Sequence, residues 1–212
     1  MDHICRHRDG RNIGWWQLVC ALHEVYNLSY FFAMFLAAAG VIFCGHWHRL
    51  PWSLDLHQLA EHNRIEHDCS LAHDDAAPGA KFAPHHTDHT LLCRLLDTSR
   101  KALPLGLGDF VAARIQRAEE VRRDIGRLHR EIAHGETALV MLTMGRPPQG
   151  VETCQDSSLV VPKDFIQVWF GRDQLPDSWE KPKEEVGLFR TASLSRAIGQ
   201  ELFRKDYIAQ CA

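Results

Sequence analysis

Apolar residues recur at three- and four-residue spacing along most of this chain, the period of helices that bury one face. Trp16, Val19, Cys20, Leu22, His23 and Tyr26 fall in register between Ile13 and Val25. With Asn12 as N-cap and Asn27 as terminator, they predict a first helix. The uncharged run from Leu28 to Cys44 predicts a second, closed by the turn His46-Trp47-His48-Arg49-Leu50-Pro51. Ser53 is read as the cap of a third helix through Leu54, Leu56, Leu59 and Ala60. Pro78, Gly79 and Pro84 mark an irregular loop, and a helix from about Thr90 to Arg100 follows it. Gly108-Asp109 then opens a long amphipathic helix with Phe110, Val111, Ile115, Ala118, Val121, Ile125, Leu128 and Ile132 on one side. Its other side carries Glu119, Glu120, Arg122, Arg123 and Arg127. Gly135 interrupts that pattern, and Glu136 to Leu142 resumes it as an apolar helix with one carboxylate in its first turn. A helix from Pro162-Lys163-Asp164 through Phe165, Val168, Trp169 and Phe170, and another over Thr191–Ile208, complete the series. Apart from a short hairpin near Val160, no strand pattern stands out, so the fold class is mostly α.

Composition narrows the class without naming a function. At 212 residues and 45% hydrophobic, the chain can bury a core as one domain. A formal net charge of -3 leaves no basic face, which argues against nucleic acid as a partner. Seven cysteines without a C-x-x-C pair indicate neither a disulfide framework nor a zinc ribbon, so most of them are expected as buried thiols. The polar start Met1-Asp2-His3-Ile4-Cys5-Arg6 does not read as a signal peptide, so the protein is expected to be intracellular or to lack its true amino terminus. The run Leu28–Cys44 is about as long as the shortest membrane-spanning helices. Gly40, Gly45, His46 and His48, with no basic clusters beside them, favour a core helix, and a peripheral membrane contact is left open.

Two places carry candidate chemistry. The run Glu66-His67-Asp68-Cys69-Ser70 sets two carboxylates, an imidazole and a hydroxyl in five residues. Such a turn either holds a hard divalent cation such as magnesium or manganese, or is a helix-terminal turn capped by Asp68. Glu136, a lone acid beside Gly135, either complements the helix dipole or is an acid–base group facing a dry pocket. A weaker third candidate, His85, His86 and His89 with His46 and His48, has spacing that could suit zinc but no defined fourth ligand.

Three segments carry a resemblance: Asp9-Gly10-Arg11-Asn12-Ile13, Ala21 to Ser29, and His62-Asn63-Arg64-Ile65-Glu66-His67-Asp68-Cys69-Ser70-Leu71. Together they resemble the fungal heme-thiolate peroxidase family, which contains the chloroperoxidase type and the unspecific peroxygenases. The likeness continues through Gly135-Glu136-Thr137-Ala138-Leu139 and weakly from Phe165 to Pro182, covering about residues 2 to 185. It implies a heme haloperoxidase-like domain over 1–185 and a C-terminal helical tail over 186–212. It further implies heme b, hydrogen peroxide as oxidant, and a halide or small organic substrate. Glu66, the His67 carbonyl and Ser70 would bind magnesium or manganese beside a heme propionate, with His67 also orienting the distal acid. Glu136 matches that acid, which takes a proton from peroxide and returns it to the leaving oxygen.

The departure from the family is the proximal side. Its iron ligand is a cysteine in a Pro-Cys-Pro motif, and no Pro-Cys-Pro occurs in this sequence. Asp2-His3 matches the end of the segment that follows the motif, so a truncated amino terminus is the expected reason, and Cys5 is a poor substitute. Secretion would then be expected if a leader preceded the missing segment. The alternative is a non-catalytic helical metal-binding protein that keeps this fold without heme, which Cys69 and His134 accommodate.

Overall fold

The computed structural model describes residues 9–48, 50–100, 103–121 and 126–211, and side chains as far as 205. The fold is mostly α, as the spacing predicts, with one two-stranded sheet among the described residues. The chain clusters into two compact units. The first runs to His67 and takes in Asp75–His85 and Lys181–Leu188, and the second holds Asp68–Asp74, His86–Glu180 and Phe189 onward.

In the first unit, α1 (Trp15–Tyr26) and α2 (Tyr30–Cys44) form a helical hairpin. Asn27 ends α1 in the left-handed region at φ 54°, which asparagine tolerates better than most side chains. Ser29 caps α2, its hydroxyl accepting from the Phe32 amide at 3.2 Å. The returning segment Lys181–Leu188 ties down this corner: Val186 exchanges backbone hydrogen bonds with Asn27 and Ser29, and Asn27 Nδ2 donates to the Pro182 carbonyl at 2.9 Å.

The α2 run is a half-core helix. Phe32, Ala33, Ala37, Gly40, Val41 and Cys44 are buried, while Phe31, Phe35 and Ile42 stand exposed on the opposite stripe. No helix among the described residues is long and apolar enough to cross a membrane.

The third helix expected over Leu54–Ala60 does not form. Ser53 and Leu54 instead make strand β2, paired antiparallel with β1 (Ile13–Gly14), so Ile13 faces Leu54 and Gly14 faces Ser53. Only a short 3₁₀ turn, Leu56–Ala60, follows. Asp55 is committed across the sheet end, its carboxylate accepting from the Asn12 amide at 2.6 Å, and this tertiary bond outweighs the local helical spacing. Asn12 itself sits at φ 48°, and α1 starts after Gly14, whose amide donates to Gln17 Oε1 at 2.8 Å.

The second unit is built from α3 (His89–Asp97), α4 (Leu107–Glu120), α5 (Arg127–Met144), α6 (Lys163–Arg172) and most of α7 (Leu188–Cys211). Asp88 caps α3 by accepting from the Thr90 and Leu91 amides. Leu91, Leu92, Leu95, Phe110, Val111, Met141, Met144, Phe165, Ile166 and Ile198 are buried. Each such side chain contributes about 1.5–3 kcal/mol by leaving water. The hairpin expected near Val160 survives as two antiparallel bridges, Arg146 with Val160 and Leu105 with Val161.

The long helix expected from Asp109 to Ile132 is two helices, since α4 stops at Glu120 and α5 begins after Gly126. Gly135 does not interrupt α5; it lies inside it. Glycine there costs about 1 kcal/mol of propensity. Packing of Ala133, Thr137, Ala138 and Met141 on the same helix outweighs it.

Candidate functional site

The acidic block straddles the boundary between the units, so its residues are described where they lie. Glu66 and His67 belong to the first unit, in an irregular stretch after the 3₁₀ turn. Asn63 at φ 63° makes the left-handed turn that brings His62 back against Glu66, where His62 Nδ1 and Glu66 Oε2 are 2.9 Å apart. His67 is buried at 4% exposure.

Asp68, Cys69 and Ser70 belong to the second unit. Cys69 is buried with φ at 75°, a left-handed conformation that a non-glycine residue adopts only when its surroundings hold it. The Ser70 hydroxyl accepts from the Ala72 and His73 amides at 3.5 and 3.3 Å and lies 3.4 Å from His73 Nδ1, closing a local turn.

Two arginines on α4 hold this turn. Arg114 Nη1 donates to the Cys69 carbonyl at 3.0 Å, and Arg117 Nε donates to the Ser70 carbonyl at 2.9 Å. Both are only 7% exposed. Arg114 also reaches α5, donating from Nε to Thr137 Oγ1 at 3.1 Å and from Nη2 to the Ala133 carbonyl at 2.6 Å. The same Nη2 lies 3.8 Å from Glu136 Oε2. Arg117 Nη1 donates to Glu120 Oε2 at 3.0 Å, and Arg94 pairs with the other oxygen of Glu120. Burial pushes the Arg114 guanidinium down from its ordinary value, opposed by Glu136, which stabilises its charge.

Glu136 is the tenth residue of α5 and about half exposed, so its place is mid-helix rather than the first turn expected. The bland reading, an acid complementing the helix dipole, fails with that placement. A Cβ added at the neighbouring Gly135 would meet nothing within 4 Å, so the backbone beside Glu136 is open. The histidines 85, 86, 89, 46 and 48 do not assemble into a metal-holding group among the described residues.

Sequence reasoning missed Arg114 and Arg117. The signal was present: they stand four and seven residues after Phe110, on the buried stripe of α4, where a charge needs a partner. The buried side of α4 is turned toward Phe110, Ala113, Arg114 and Arg117 instead of the expected Ile115 and Ala118.

A family model for peroxidase, family 2, matches residues 5–184. The chain belongs to that family, a class of oxidoreductases acting on peroxide with small-molecule substrates. No curated protein matches it.

The family suggests a heme cofactor, and the residues present fit one side of such a site. Glu136 offers a reachable carboxyl on a firmly packed helix, backed by a buried cation. The thiolate side finds no match among the described cysteines, Cys20, Cys44, Cys69, Cys93 and Cys154. None is flanked by proline, Cys69 is buried, and burial pushes the Cys44 thiol up, which keeps its proton on. Cys5 lies outside the described residues.

Proposed function

We propose that this chain is a heme-thiolate peroxidase or peroxygenase of the fungal, chloroperoxidase type, using hydrogen peroxide to oxidise a halide or a small organic substrate, with Glu136 as its acid–base group. The observation that carries the reading is the setting of Glu136: a half-exposed carboxyl in mid-helix, 3.8 Å from the buried Arg114 guanidinium, on a chain of this family.

When bound, heme supplies the iron that takes up peroxide and receives its oxidising equivalents. The chain supplies proton handling. Glu136 would take a proton from one oxygen of hydrogen peroxide and return it to the other, which would leave as water. Arg114 stands 3.8 Å from the Glu136 carboxyl, and its own bonds to α5 fix the helix turn that carries Glu136. The orienting role of His67 rests on the resemblance alone.

One observation favours a second reading, a heme-free helical protein on the same fold: the sequence contains no Pro-Cys-Pro. Reconstitution of the purified full chain with heme, followed by a carbon monoxide difference spectrum, separates the two. A red-shifted Soret band characteristic of thiolate ligation supports the peroxidase reading. A Soret band at the normal position, or no heme uptake, supports the second.

A further inference from the structure

We propose that the positive charge serving the Cys69–Ser70 turn is a built-in pair of guanidiniums, Arg114 and Arg117, in place of the divalent metal ion that the family resemblance implies. Two of the three groups expected to hold a metal, the Glu66 carboxylate and the Ser70 hydroxyl, already have partners inside the chain. Glu66 Oε2 is paired with His62 Nδ1, and Ser70 Oγ accepts two backbone amides of its own turn.

Two carbonyls of the turn are taken as well. The Cys69 and Ser70 carbonyls each accept from a buried arginine, and a divalent ion drawn to them would meet two fixed positive charges. Each guanidinium also has a carboxylate beside it, Glu120, shared with Arg94, for Arg117 and Glu136 for Arg114. A planar guanidinium also does what a compact ion cannot. Arg114 donates in three directions at once, to the Cys69 carbonyl, Thr137 Oγ1 and the Ala133 carbonyl, so it locks the turn to α5 as well as neutralising it. The left-handed Cys69 is held in place by this clamp.

The inference stands whether or not Glu136 handles protons, and its tests do not use peroxide turnover. The first is a Mn²⁺ titration of the full chain followed by electron paramagnetic resonance, with melting temperatures recorded in EDTA and in Mn²⁺. The expected result is no stoichiometric binding at micromolar Mn²⁺ and the same melting temperature in both. One tightly bound Mn²⁺ per chain, with a higher melting temperature, overturns the proposal.

The second test is hydrogen exchange of the amides in residues 69–73 and 133–137. Arg114→Gln is expected to speed exchange there by about tenfold or more, with Arg114→Lys, which keeps the charge but loses the fork, in between. Unchanged exchange in Arg114→Gln overturns the clamp. If Arg114→Gln does not fold, Arg117→Gln, which loses the Ser70 and Glu120 contacts but keeps those of Arg114 to α5, is expected to speed exchange at residues 69–73 and not at 133–137. Unchanged exchange in that variant overturns the clamp equally.

Discussion

Arg114 joins the Cys69 carbonyl to two acceptors on α5 more than 60 residues further along the chain, so its removal is the sharpest single-residue test of the second unit's packing. Arg114→Met leaves the Cys69 carbonyl without its donor, costing about 1–3 kcal/mol for a buried acceptor, partly offset by relief of the desolvated charge. The expected net loss is about 2 kcal/mol, read as a lower urea midpoint at unchanged slope. His134, half-buried on α5, gives a pH-dependent counterpart. Burial lowers its affinity for a proton in the folded chain, with Glu131 opposing. The unfolded chain therefore binds more protons as pH falls below about 6.5, and stability drops there. His134→Gln is expected to flatten that acid-side decline in stability measured from pH 7 to 5, and an unchanged slope would show that the burial of His134 does not contribute. At this scale the sequence was half legible. Glu66, His67, Ser70 and Glu136 were recognisable as unusual acceptors, whereas Arg114 and Arg117 were concealed, because helical periodicity alone counts an arginine as a solvent-facing residue.

Helices with their own caps could be read from the sequence, and those whose limits depend on distant partners could not. Asn27 and Ser29 fix the α1–α2 corner by local chemistry, and Pro162 does so for α6. The stretch after Ser53 was misread because pairing with Ile13–Gly14 and the Asp55 bond to Asn12 lie more than 35 residues away along the chain. Gly135 was misread as a break although it lies inside α5, whereas Gly45 does end α2, and two alanine substitutions test the difference. At Gly45, which ends α2, an added Cβ would lie 2.6 Å from the Ser53 carbonyl oxygen and 2.8 Å from Leu54 Cβ. Neither can retreat without disturbing the β1–β2 pair, so Gly45→Ala is expected to cost about 1–3 kcal/mol. At Gly135 the added methyl meets nothing within 4 Å, so Gly135→Ala is expected to raise stability by about 1 kcal/mol through helix propensity. Thermal unfolding of the two variants, moving in opposite directions from the parent, checks the pair. A drop in both would place an unseen neighbour against Gly135.

Across the whole molecule, the likeness noticed over about residues 2–185 and the family match over residues 5–184 coincide in extent, and the mostly α fold agrees with both. The interleaving of the chain was not legible, because a helical period says nothing about which helices share a compact unit. Residues 75–85 and 181–188 return to the first unit through backbone bonds such as Ala83 to Ala60 and Val186 to Asn27. Peroxide chemistry follows from family membership, and the assignment of its proton to Glu136 is the central claim. The direct test is hydrogen peroxide turnover by the heme-reconstituted chain compared with Glu136→Gln at equal heme content. General acid–base catalysis by Glu136 predicts a fall of about 100-fold or more in kcat with heme retained. Equal turnover by the two proteins would contradict it.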